Sequence, residues 1–157
     1  MCLHHPGKVI AMTSTYEGFS AEERAAMKEH AQQMKKESRR GSKADKAAAA
    51  VADLLAKIAE MTDADRAMAE RVHEIVTTTA PMLAPKLWYG MPAYQLDGKN
   101  VCFFQPAAKF GTRYATFGFE QASNLDDGDM WATSFALNAM TPEVEARIAE
   151  LVKRAVT

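Results

Sequence analysis

Residues 86–119 read KLWYGMPAYQLDGKNVCFFQPAAKFGTRYATFGF, and this run decides the fold class. It is rich in aromatic and β-branched residues, punctuated by Gly and Pro, and flanked on both sides by helix-forming sequence. Its pattern is that of an antiparallel meander. Lys86–Tyr89 and Ala93–Leu96 are short strands, with Gly90-Met91-Pro92 breaking the pairing because Pro92 has no amide to donate. Asp97-Gly98 suits the positive φ angles of a type I′ hairpin turn. Asn100–Gln105 is apolar on both alternating faces, as a central strand should be, and Pro106 ends it. A loop through Lys109 and Gly111 leads to a strand over Thr112–Phe119. There Ala115, Phe117 and Phe119 share one face, and Tyr114, Thr116 and Gly118 the other. Such alternation predicts a sheet covered on one side by helices.

The chain of 157 residues is long enough for one domain, or one domain with an extension. With 48% hydrophobic and 25% charged residues it can build a core without metal or disulfide staples. A net charge of −1 supplies no global attraction to nucleic acid or acidic membranes. Cys2 and Cys102 lie far apart in sequence and in unlike surroundings, which points to thiols in a reducing, cytoplasmic setting. No apolar run reaches membrane-span length, and Val9–Met12 is too short for a signal-peptide core.

In chain order, residues 1–18 lack periodicity and are expected to be loosely attached, with Met1–Ala11 dispensable; Cys2, His4 and His5 read as part of a solvated tail. Ser20 and Glu23 form a capping box opening a helix that runs to Ser38. Its apolar stripe, Met27, Ala31 and Met34, is thin, so the helix is expected on the surface of something larger. The basic run Lys35–Lys43 reads as a solvated turn. A second helix spans Ser42 to about Glu60. Its face of Val51, Leu54, Leu55 and Ile58 must be buried on the first helix, on the sheet or across a dimer interface. Thr62 and Asp65 mark another capping box, opening a helix over Asp63–Thr79 with Met68, Val72, Ile75 and Val76 inward. His73 stands alone, with no second ligand at zinc spacing. Trp131–Leu137 alternates like a returning strand. Thr141-Pro142-Glu143 starts a last helix to about Ala155, with Val144, Ile148, Leu151, Val152 and Ala155 buried. The organisation is therefore a tail (1–18), a helical hairpin (19–61) and an α+β domain (62–157), the latter a meander of about five strands with helices on one face.

The run Leu87–Tyr94, LWYGMPAY, followed by Asp97-Gly98-Lys99 and Val101-Cys102-Phe103-Phe104, resembles the YdhG-like domain-of-unknown-function family of bacterial proteins over roughly residues 62–156. The resemblance implies a frataxin-like fold, two helices on one face of an antiparallel sheet. It also implies iron handling, because some members are described as iron chaperones. The matching acids would be Asp63, Asp65, Glu70 and Glu74. The clustered acids Asp126, Asp127 and Asp129 are further candidate ligands for a hard cation, although Gly128 falls out of register for a calcium loop. The motif residues Trp88, Tyr89, Gly90, Met91, Pro92, Tyr94, Asp97 and Gly98 read as structural: Gly90 and Pro92 shape a tight connection while Trp88, Tyr89 and Tyr94 pack.

Two functional readings follow. One is a non-catalytic domain binding iron or another small ligand. The other is an interaction module, homodimer or adaptor, that uses the two N-terminal helices. No nucleophile–base pair, phosphate loop or defensible carboxylate pair supports an enzyme. The second helix separates the two readings: if its Val51–Ile58 stripe is covered within the chain, the interaction module loses its main support.

Overall fold

Both hairpins at the start of the meander turn on two residues held at positive φ: Tyr89 (53°) with Gly90 (74°), and Asp97 (52°) with Gly98 (80°). These are the type I′ signs that match the twist of the flanking strands. In this computed structural model, which describes residues 18–39 and 41–157, the strands are β1 (Ala84–Trp88), β2 (Met91–Leu96), β3 (Lys99–Gln105), β4 (Ala115–Phe119) and β5 (Ser134–Leu137). They form one antiparallel sheet in the order β1-β2-β3-β4-β5. The expectations for Met1–Ala11 and for Cys2, His4 and His5 fall outside the described residues.

Contrary to the sequence expectation, Gly90-Met91-Pro92 does not interrupt pairing: Trp88 pairs with Met91 and Leu87 with Pro92. In a two-residue hairpin the closing pair exchanges hydrogen bonds and the next pair does not. Pro92 occupies that next position, where β1 asks for no amide.

The helices are α1 (Ala21–Ser38), α2 (Lys43–Ala59), α3 (Asp63–Thr79), a single turn α4 (Ala107–Phe110) and α5 (Pro142–Ala155). Ser20, Ser42 and Thr141 cap α1, α2 and α5 through their hydroxyls. The core lies between the helices and the sheet face that carries Tyr94, Cys102, Phe104, Phe117 and Leu137. A bulge between β2 and β3 leaves Val101 as an extra residue, so Val101 and Cys102 both enter the core. Val72 and Val76 of α3 meet Ile148 and Val152 of α5 in that core, with Met68, Ile75, Val144 and Leu151 at its margin.

Leu54 and Ile58 of α2 are fully buried in the same core, packed beside β1. The face expected for α2 is rotated, however. Ala50 is buried, while Leu55 is 47% exposed. The dimer-interface alternative for this stripe thus finds most of its apolar surface already covered within the chain.

Opposite the core, Phe103 lies over Gly118, where a Cβ would run into the ring, and Trp88 meets Phe103 edge-on at 5.4 Å between centroids. No helix among the described residues is long and apolar enough to cross a membrane.

Candidate ligand cavity

The inward face of α1 is polar, and that fact organises the surroundings of the first hairpin turn. The sequence stripe named Met27, Ala31 and Met34, but Ala31 is exposed and Met34 is 51% exposed. The side facing the protein is Ala26, Glu29, His30, Gln33 and Glu37. Ala26 is buried. Glu29 holds the Lys109 ammonium with both carboxylate oxygens at 2.8 and 2.7 Å. His30 stacks on the Tyr89 ring at 4.2 Å. Gln33 donates to Asp53 at 3.2 Å, and Glu37 pairs with Lys86 at 3.0 Å. α1 is thus a strap across the Tyr89-Gly90 turn and α4, fastened by charge and hydrogen bonds instead of apolar burial.

Several hollows flank the strap. One, of about 330 Å³, is ringed by Glu29, Lys57, Glu60, Asp65, Gly90 and Lys109. Its charges are spent on one another. Lys109 is held by Glu29, and Lys57 lies 3.2 Å from Glu60 and 3.5 Å from Glu29. Burial works against the Lys57 ammonium, yet the hydrogen bond to Glu60 and the charge of Glu29 outweigh it and raise its pKa. The Asp65 carboxylate accepts from the backbone amides of Ala107 at 3.2 Å and Ala108 at 3.0 Å.

The second hollow, of about 410 Å³, lies under the N-terminal half of α1. Phe19, Tyr89 and Phe110 supply aromatic rings, Met27 and Met91 thioethers, and Ala26 part of the wall. Glu23, Gln105 and Thr112 bring the polar groups. This is the size and mixture of a small-molecule site: an apolar lining with a few polar groups to orient what enters. Tyr89 carries an additional signal. A non-glycine residue held in the left-handed region costs on the order of 1 kcal/mol or more, and such residues gather at functional sites. Its ring is held by His30 on one side and by Trp88, edge-on at 5.4 Å, on another.

The motif residues divide accordingly. Tyr89 and Met91 line the cavity, and Gly90 lies in the neighbouring charged hollow. Trp88 packs on Phe103, Pro92 and Tyr94 are buried, and Asp97-Gly98 turn at the opposite end of β2. The proposed metal ligands do not come together. Asp63 is tied to Arg66 at 2.6 Å and Glu74 to Arg71 at 2.5 Å, and Glu70 is exposed. Asp126, Asp127 and Asp129 are exposed on the loop before β5. Among the described residues no three His, Cys, Asp or Glu side chains are grouped to hold a metal ion. Asp65, one of the acids matched to an iron-binding ridge, is buried and engaged by α4. The carboxylates therefore do not fit the iron that the resemblance implies.

The chain matches no protein-family model, no curated protein and no solved structure.

Potential nucleophiles and bases are also engaged elsewhere. Burial pushes the Cys102 thiol and the Tyr94 phenol well above their ordinary values, so neither ionises near neutral pH. Tyr94 Oη lies 2.9 Å from His73 Nδ1, and desolvation lowers the His73 pKa. A histidine whose folded pKa is below its unfolded value binds fewer protons folded than unfolded, so acid favours unfolding. Its contribution is complete above about pH 6.5 and is lost as pH falls from there toward the folded value. Stability is expected to fall as the pH drops from about 7.5 to about 5, read as a decrease in Tm. His73→Gln should remove that part of the pH profile; an unchanged profile would contradict this assignment. The Glu145 carboxyl, held low by the hydrogen bond from Arg71, acts in a more acidic window.

Proposed function

We propose that this protein is a non-catalytic binding domain for a small organic ligand, taken up in the cavity between α1, the Tyr89-Gly90 turn and α4. The observation that carries the reading is the 410 Å³ cavity itself, lined by aromatic and thioether side chains and bordered by a tyrosine held at positive φ. Its walls come from α1, β2, β3 and α4, so the N-terminal helix completes a site that the sheet alone would leave open. Pairing of Lys57 and Lys109 with Glu29 and Glu60 in the neighbouring hollow favours this cavity over the charged one. Consumption of Leu54 and Ile58 within the core argues against an adaptor built on α2. A buried free Cys102 suits a reducing compartment, in keeping with a cytoplasmic protein.

An amide-resolved NMR titration distinguishes this reading from iron handling. Adding 2-phenylethanol, a small neutral aromatic probe, should give saturable shifts at Ala26, Met91, Phe110 and Thr112. Adding ferrous iron anaerobically should give no localised, saturable change over Asp63–Glu74 or Asp126–Asp129. The reverse pattern would overturn the proposal.

A further inference from the structure

We infer that the ligand taken by this cavity is an organic cation: an ammonium group carried on an aromatic or short aliphatic body. The inference rests on the cavity being a ligand site and adds the charge of its occupant. Glu23 is the one ionisable side chain with a carboxylate at the lining, and among the described residues no cation is paired with it. Its backbone amide is capped by Ser20 Oγ at 3.1 Å. Glu22 adds a second negative charge nearby, its carboxyl carbon 3.9 Å from where a Cβ on Gly111 would lie.

The neighbouring basic groups are turned to other work. Lys109 is clamped by Glu29, and the Arg113 guanidinium lies over the Tyr114 ring at 5.3 Å. Among the described residues, Glu23 is thus the one formally charged side chain in the lining itself. The remaining lining reinforces the preference for a cation. The rings of Phe19, Tyr89 and Phe110 in the lining favour a cation through their quadrupoles, and Met27 and Met91 offer soft, polarisable contact that adapts to varied alkyl bodies. An anionic ligand would meet Glu23 with no counter-charge at the lining, and a neutral one would leave the carboxylate to water.

Isothermal titration calorimetry of the full chain with three probes of one shape tests this: 2-phenylethylammonium, 2-phenylethanol and phenylacetate. The ammonium should bind about fivefold to tenfold more tightly than the alcohol, the range expected of a charge-assisted hydrogen bond at a solvent-accessible carboxylate plus cation–π contact. Phenylacetate should not saturate. Glu23→Gln, a change at an exposed side chain, should bring the ammonium-to-alcohol affinity ratio close to one. Equal affinity of ammonium and alcohol in the native chain would overturn the charge assignment and leave the cavity standing as a site. Failure of all three probes to bind would overturn both. A ratio unchanged by Glu23→Gln, or tighter binding of phenylacetate, would also overturn the inference.

Discussion

Asp65→Ala, a change at the most buried charged side chain among the described residues, is expected to cost about 3–5 kcal/mol. Asp65 is 3% exposed, and its carboxylate accepts two backbone amides, those of Ala107 and Ala108, at the entry to α4. Thr62 Oγ1 donates to the same carboxylate at 3.3 Å. Alanine would remove three charge-assisted hydrogen bonds and leave two amides without an acceptor in a place water reaches poorly. Asp65→Asn keeps one acceptor oxygen and should cost roughly half as much. Urea unfolding followed by circular dichroism reads both. A loss below about 1 kcal/mol for Asp65→Ala would mean that α4 is held by other contacts. Because α4 carries Phe110 and leads into Thr112, both in the cavity wall, the variant should also lose ligand binding.

Gly90→Val is expected to cost about 3 kcal/mol. The residue sits at φ 74°, where a β-branched side chain is strained. A Cβ there would also meet the ends of Glu29 and Lys109, the ion pair that fastens α1 over the turn. Both side chains can swing aside, so the packing cost appears as a weakened clamp and not as a crushed core. Gly98→Val is the matched control. It has φ 80° at the corresponding position of the second hairpin, but nothing lies within 4 Å of its Cβ. The difference between the two variants isolates the contact with α1. In Gly90→Val, amide hydrogen exchange in α1 should quicken while β3 and β4 keep their protection. Equal costs and unchanged α1 exchange would show that the strap does not depend on the glycine.

Much of the fold was legible because it rests on local chemistry. Ser20, Ser42 and Thr141 announce three helix starts through hydroxyl caps, and Asp97-Gly98 announces a hairpin. The alternation of Ala115, Phe117 and Phe119 marks the core face of β4, and the structure buries all three. The misreadings came where local and tertiary demands diverge. Pro92 reads as a breaker, yet its place in the hairpin ladder needs no donor. Asp65 has the spacing of a capping-box partner, but a segment some forty residues away claims its carboxylate. The stripe on α1 fails because apolar periodicity cannot detect a helix held by Glu29, His30, Gln33 and Glu37. The cavity was invisible for a related reason. Phe19, Glu23 and Met27 share one short stretch of sequence, but Tyr89, Gln105 and Phe110 come from distant segments, and only the chain path brings them together. The one local trace was the Tyr-Gly pair ahead of Met91-Pro92, which can be read as a turn with an aromatic residue at positive φ.

The most direct test is a crystal structure of the full chain with 2-phenylethylammonium bound. The aromatic ring is expected between Tyr89 and Phe110, in contact with Met27 or Met91, with the nitrogen within hydrogen-bonding distance of the Glu23 carboxylate. A probe lodged elsewhere, or a cavity closed by α1 lying directly on Met91 and Gln105, would contradict the proposed site.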